Sequence, residues 1–226
     1  MTTRTAALVV FALFALALGA SLLLYSSLPE RMPSHWNMRG DVNGRTSKAF
    51  GSLALPALIL LVLLFLLTGD WLSPAHFKVG AFRAAFNYLM VICAALISYI
   101  HALVLAAALH SERSYSRWMI GGLFLFFAWL GNMLGKTRRN FWIGIRTPWT
   151  LASDAVWIAT HRLAARVFMA AGIIGAVGAG AGLSVPWFFG LLMGALLVTV
   201  FYSLWLSKKL EKETEQLSES AKERSP

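Results

Sequence analysis

Apolar residues gather into six long blocks separated by short polar segments: roughly Ala6–Leu24, Ser52–Leu67, Phe86–Ala108, Trp118–Leu134, Leu163–Leu183 and Pro186–Leu206. Blocks of about 17–25 apolar residues are long enough to cross the ~30 Å hydrocarbon core as helices. The bilayer interior offers the backbone no water, so each crossing must close its own hydrogen bonds. A strand-built alternative would alternate apolar and polar residues over about ten positions, and no block does. The pattern predicts an all-α polytopic membrane bundle of about six transmembrane helices. The second block is short, but Phe50 and Trp71 can extend it or seat it at the interface. Only Ser184, Val185 and Pro186 separate the fifth and sixth blocks, which predicts a tight helical hairpin with Gly182 ending one helix and Pro186 opening the next. The first block, with Arg4 ahead of it and Ala15-Leu16-Ala17 inside it, has the outline of a signal peptide. Its run of about 19 residues exceeds the usual 7–15, so an uncleaved helix is expected.

Composition agrees with this picture: 58% of the 226 residues are hydrophobic and 13% are charged, against about 25% charged in a soluble domain. The net charge of +10 would suggest a nucleic-acid partner in a soluble protein. Here it reads as Lys and Arg collected in loops that stay in the cytoplasm, with no direct nucleic-acid binding. With the N-terminus inside, the inner segments hold Arg4, Lys78, Arg83, Lys136, Arg138, Arg139, Arg146, Arg162, Arg166 and five tail residues, 14 of the 20 basic residues. The outer loops hold Arg31, Arg39, Arg45, Lys48, Arg113 and Arg117. The balance favours both termini in the cytoplasm, with the last inner loop and the tail supplying most of the bias.

Cofactor and enzyme chemistry find little support. Cys93 is the only cysteine, which rules out an internal disulfide and a Cys-based zinc site. There is no Walker loop, GxGxxG turn or HExxH, and no nucleophile stands beside a base. We expect no cofactor, no metal site and no enzymatic activity.

Two loops carry more residues than a connector needs. In Leu28–Phe50, Pro29 and Pro33 stiffen the entry, and Gly40-Asp41 and Asn43-Gly44 signal turns, the second favouring positive φ at both residues. This predicts a folded cap on the outer helix ends. Its His35, Trp36, Asn37 and Asp41 are either a ligand or metal site or, the commoner use of such residues, partners of the loop backbone. The other loop, Gly135–Arg162, is expected inside. Lys136, Arg138 and Arg139 would face anionic lipid at about 1 kcal/mol each. Phe141, Trp142, Ile143, Ile145 and Trp149 are expected in the membrane interface. Pro148 keeps Thr147 out of the helical region. Ser153 then reads as an N-cap with Asp154 in the first turn. The helix that follows sets Trp157, His161 and Ala164 near one face and is expected to run along the membrane before turning into the fifth crossing. Asn140, Arg146, Thr147 and Trp149 either form a docking surface or belong to an anchor.

Within the membrane, His101 is either a functional ionisable group or a neutral side chain hydrogen-bonded to a neighbouring helix, and Asn132 is the other polar residue singled out. No Asp or Glu lies in any block, which argues against an ion-coupled pump. Small residues at i,i+4, as in Ala171–Gly175–Ala179, Gly178–Gly182, Gly190–Gly194 and Gly131–Gly135, suit close helix packing within one bundle, with a homodimer as the alternative. The tail after Leu206 is polar; Lys209 and Glu213 make an i,i+4 pair, and the end is expected to fray.

Leu28-Pro29, Pro33, His35-Trp36-Asn37, Gly40, Gly44 and Lys48 resemble the N-terminal membrane domain of unknown function that often precedes an SdpI-type domain. Gly131-Asn132, Arg139-Asn140, Gly144 through Leu151 (GIRTPWTL), Trp157 and Thr160-His161-Arg162 are similar to the signature of the SdpI immunity-protein family. The resemblance implies an N-terminal membrane domain over 1–70 with extracytoplasmic loop 28–50, an SdpI-like membrane domain over 82–206 with cytoplasmic loop 135–162, and a polar cytoplasmic tail over 207–226. It further implies a multi-pass protein of the bacterial inner membrane that protects against a secreted peptide toxin. A small cytoplasmic repressor would be its inner partner and membrane lipid its surroundings. The family supplies no verified residue roles; the outer candidates stay His35, Trp36, Asn37 and Asp41, and the inner ones Asn140, Arg146, Thr147, Pro148, Trp149, Trp157 and His161. A small transporter or exporter of an amphiphile is the alternative function.

Overall fold

The computed structural model describes residues 1–37, 40–73, 79–140 and 142–223. Arg39, Lys78, Phe141 and Arg224, which entered the reading of the loops and of the charge balance, lie outside the described residues. Among the described residues seven α-helices are formed: α1 (Thr3–Leu24), α2 (Lys48–Leu72), α3 (Arg83–Leu109), α4 (Ser116–Leu134), the short α5 (Pro148–Ala152), α6 (Asp154–Gly180) and α7 (Val185–Glu223). All except α5 are long and apolar enough to cross a membrane. The chain is a multi-pass helical membrane protein, as its block pattern predicts.

Helices α1, α2 and α3 pack on one another; α3 also meets α4; α4 packs most closely on α6, and α6 on α7. Small residues make the α4–α6 approach close. A Cβ on Gly131 would run into the backbone at Met169 (2.6 Å) and Ala165 (2.9 Å), and one on Gly172 into Phe124 O (2.6 Å). Gly190 and Gly194 of α7, in contrast, have nothing within 4 Å. The exposed tryptophans Trp118 and Trp187 sit at the start of α4 and α7, Trp71 at the end of α2, and Trp205 at the end of the apolar half of α7. Two aromatic belts at the membrane borders fit this placement.

The all-helical reading missed one element. Residues Arg31–Trp36 (β1) and Val42–Ser47 (β2) pair antiparallel, Arg31 opposite Ser47 and Trp36 opposite Val42, with irregularities after Pro33 and His35. Asn43-Gly44 is therefore not the turn. Gly44 lies in β2 opposite His35, and among the described residues no non-glycine residue has positive φ. The turn sits earlier: Asn37 N–H donates to Asp41 O (2.9 Å), Gly40 N–H donates to Asn37 O (2.9 Å), and Gly40 takes φ +87°. Because Pro33 lacks an N–H and the pairing slips beside it, Asn43-Gly44 moves into the strand. The hairpin rests on α2 and α3, with Met32 fully buried among Leu28, Val104 and Leu105.

Another expectation is corrected at α6. The helix is continuous from Asp154, capped by Ser153 Oγ accepting from Val156 N–H (3.4 Å), rather than an in-plane segment followed by a crossing. No Gly or Pro interrupts 154–171, and Trp157, Thr160, His161 and Ala164 are buried against the protein, so nothing makes the chain bend. At the far end, Leu183 N–H donates to Gly178 O (3.0 Å) across the tight α6–α7 turn, as predicted. Helix α7 runs on past the apolar block through the tail, with Lys209 and Glu213 3.7 Å apart.

Candidate functional site

Three polar assemblies interrupt the apolar bundle: the hairpin at one end, the 136–153 loop at the other, and a buried node between them.

The node starts from a proline. Pro56 lies inside α2 and has no N–H, so the carbonyl of Ser52 lacks its helical donor. Ser21 of α1 supplies a replacement, its hydroxyl donating to Ser52 O (2.6 Å). His101 of α3 then places Nε2 2.9 Å from Ser21 Oγ and 3.2 Å from Ala17 O. With the Ser21 proton on Ser52 O, Nε2 is the donor to both. Ser21, Ser52 and His101 are all buried, so three helices are tied where unpaired polar groups are costly. His101 thus bonds to a neighbouring helix. Asn87, which the sequence reading passed over, is fully buried in α3 and donates to Met1 O (3.3 Å) and Thr3 Oγ1 (3.2 Å). An Asn inside an apolar block was the available signal. Asn132 is exposed on α4 and accepts from Lys136 Nζ (3.4 Å).

In the hairpin, His35 Nδ1 donates to Asn43 Oδ1 (2.5 Å). Asn37 Nδ2 donates to Asp41 Oδ2 (3.3 Å), and Asp41 N–H to Asn37 Oδ1 (3.0 Å). Asn37 and Asp41 hold the turn, and His35 pairs elsewhere. Among the described residues no three His, Cys, Asp or Glu side chains converge on a metal position. His35 and Asp41 are exposed and Trp36 is half-buried. Trp36, Arg45 and the α3–α4 connection line a polar cleft of about 350 Å³.

The 136–153 loop is built into the bundle. Asn140 is 1% exposed. Its Oδ1 accepts from Trp142 N–H (2.8 Å) and Ile143 N–H (2.7 Å), while Nδ2 donates to Arg138 O (2.8 Å) and Ile143 O (3.0 Å). One side chain thereby fixes a reversal of the chain. Ile143 then enters the main core, with Trp142 and Ile145 packed against it. Trp142 reaches α2, meeting Phe65 edge-on and donating Nε1–H to Ser73 Oγ (2.7 Å). These three side chains were expected in the membrane interface. They instead plug the end of the bundle, because burial there removes them from water and lets the loop's carbonyls find partners.

Gly144 has φ +126°, and a Cβ there would collide with His161. The glycine lets the backbone lie on the imidazole, so Ile145 N–H donates to His161 Nε2 (3.0 Å) while His161 Nδ1–H donates to Trp157 O (2.8 Å). Both ring nitrogens are satisfied by one neutral tautomer. The ring stacks on Trp157 at 4.0 Å, whose Nε1–H donates to Thr137 O (3.1 Å). Thr147 caps α5 in a reciprocal arrangement with Thr150, and Thr150 Oγ1 returns a hydrogen bond to Ile145 O (2.8 Å). Trp149 Nε1–H donates to Ser203 Oγ on α7 (2.7 Å). Arg139 bridges Leu151 O (2.7 Å) and Asp154 (3.0 Å). The structure thus brings Asn140, Thr147, Trp149, Trp157 and His161 into one knot and leaves Arg146 and Pro148 exposed on it. Ser73, Thr137, Thr150 and Ser203 complete the knot. They are single small hydroxyls that only their partners make visible.

A six-span helical bundle with a β-hairpin at one end and a hydrogen-bonded knot at the other defines a multi-pass membrane protein. The SdpI/YfhL protein family matches residues 136–206, and a domain of unknown function, DUF1648, matches residues 12–60. These matches bear out the resemblance: the chain is SdpI-like, with the DUF1648 segment ahead. Immunity protein SdpI of Bacillus subtilis (strain 168) is 28% identical over 157 residues, which cover 70% of this chain and 73% of that protein. No solved structure matches the chain. Apart from Ser73, the knot falls within the first match, and the hairpin falls within the second, whereas His101 and Asn132 fall outside both.

Proposed function

We propose that the protein confers immunity to a secreted peptide toxin from the bacterial inner membrane. The hairpin faces outward, and the knot and both termini face the cytoplasm. The observation that carries this reading is the likeness to Immunity protein SdpI across 157 residues, joined to the inner-loop signature. The distribution of Lys and Arg supports the orientation. In this reading the exposed His35 and the half-buried Trp36, which lines the cleft, meet the toxin. Arg146 and Pro148 form the exposed part of the surface that recruits a small cytoplasmic repressor. The segments 1–70 and 82–206 act as two membrane domains, the first presenting the hairpin and the second the knot. Signalling between the two faces requires that the toxin bind two arrangements of the bundle with different affinity.

Binding is favoured over export. A transporter needs a polar cavity near mid-membrane, whereas the bonds of His101 join three helices to each other. Ser21 does stand beside His101, but its hydroxyl proton is held by Ser52 O and both side chains are buried, so the pair ties helices together rather than presenting a hydrolase nucleophile to a substrate.

The test is survival of toxin-sensitive cells making the protein at matched levels. Trp36→Ala and Arg146→Ala are each expected to abolish protection; unchanged survival for both overturns the assignment of these two surfaces. Reporter fusions at residue 145 are expected to report the cytoplasm, and a periplasmic signal reverses the orientation.

A further inference from the structure

At the hairpin end, α3, α4 and α6 enclose a crevice of about 640 Å³ whose rim carries Ser114, Ser116 and Arg117. An apolar cleft of about 230 Å³ continues from it down the flank of α3 and α4, sharing Tyr99, Gly122 and Leu125 and ending beside Trp129. Tyr99 is fixed at the junction, its hydroxyl donating to Trp118 O (2.8 Å). The space is open: a Cβ on Gly180 would meet nothing within 4 Å, and one on Gly121 only Ala179 Cβ at 3.8 Å. Leu125 and Trp129 are 53% and 54% exposed on an apolar span, so the cleft opens sideways onto the hydrocarbon.

Charge completes the shape. The Arg117 guanidinium lies against the α6–α7 turn, where a Cβ on Gly182 would sit 3.1 Å from it. It has no carboxylate partner among the described residues, while nearby Arg113 pairs with Glu112 (3.6 Å). Trp118, beside it and 63% exposed, marks the headgroup level. A planar guanidinium with uncommitted donors recognises a phosphate monoanion better than any neutral headgroup.

We propose that this crevice seats one anionic phospholipid. Its phosphate lies on Arg117 and the Ser114 and Ser116 hydroxyls, and one acyl chain runs past Tyr99 and Gly122 onto Leu125 and Trp129. The lateral opening admits a lipid without its leaving the bilayer, whereas a peptide from water would have to desolvate its backbone to follow the same cleft. The site adjoins the hairpin cleft, with which it shares Ser114, lies away from the knot, and stands whichever face is cytoplasmic.

Native mass spectrometry of the full chain in mild detergent, titrated with phosphatidylglycerol or phosphatidylcholine, tests the assignment. The protein is expected to retain one phosphatidylglycerol in preference to phosphatidylcholine. Arg117→Ala should weaken that retention about tenfold or more. Gly180→Leu, which fills the open space and leaves the rim charge alone, should reduce retention of both lipids. Arg113→Ala should change neither. Thermal midpoints of the variants, measured in the same detergent, establish that each is folded, and Arg117→Lys should restore part of the preference. Equal retention of the two lipids by the unaltered protein overturns the proposal. So does wild-type retention by folded Arg117→Ala, or displacement of both lipids by an acidic amphipathic peptide with no dependence on Arg117.

Discussion

In the hairpin, His35 and Asp41 stay at the surface, and their hydrogen bonds close within a few residues, to Asn43 and Asn37. In the loop at the opposite end, Asn140, Trp157 and His161 are buried, and the bonds of the knot reach Ser73 at the end of α2, Thr137 after α4 and Ser203 on α7. Both loops carry recognisable sequence patterns, but the patterns mean different things. The pattern of the 136–153 loop is mostly a set of instructions for folding a reversal onto the bundle end. That of the hairpin leaves its His exposed and its Trp partly accessible on a small supported platform. A recognisable motif is therefore no guide by itself to a contact surface; burial separates the residues that build from those that can meet a partner.

The contrast can be broken by substitution. Trp157→Ala should cost most, about 3–5 kcal/mol for loss of a fully buried indole, read as a lowered thermal midpoint in detergent and faster degradation in cells. Asn140→Ala should cost about 2–3 kcal/mol, because the Trp142 and Ile143 amides lose their acceptor in a buried position. Asn140→Asp keeps the acceptors but sets a buried carboxylate against Arg138 O and Ile143 O, so it should cost at least as much as Asn140→Ala. Ser21→Ala, at the central node, should cost about 0.6–2 kcal/mol, the range of interhelical hydrogen bonds in membranes. It should leave more than that intact only if Ser52 O finds another donor. His35→Ala in the hairpin should shift stability by no more than about 0.5 kcal/mol while lowering toxin survival. A large stability loss there, or a negligible one for Asn140→Ala, would erase the distinction between the loops.

The helices were legible because hydrophobic blocks of spanning length leave the backbone few choices. The α6–α7 turn was legible for the same reason, with Gly182 and Pro186 as punctuation. The hairpin was seen only as a folded cap. Its strands are short and have polar residues on both faces, so alternation gave no period to read, and two competing turn signals hid the register. The knot was half legible: Ser153 and Pro148 announced the helix starts, and Trp157 and His161 fell on one face. That Ile143 and Trp142 turn inward depends on the hole left between α2, α4 and α6, which exists only after the bundle has formed. Likewise Pro56, Ser21 and His101 lie on three different helices, and the link between a missing amide and a distant hydroxyl appears only when they meet.

Helix α7 spans 39 residues without a break, about 58 Å at 1.5 Å per residue, nearly twice the ~30 Å of the hydrocarbon core. It therefore behaves as a stiff oar pivoting in the bilayer. A lean of ~5° about its Val185 end would swing its far tip by ~5 Å, the scale of one helical turn, and the Trp149–Ser203 bond is the tether that decides whether the blade moves alone or carries the arginine-bearing loop with it.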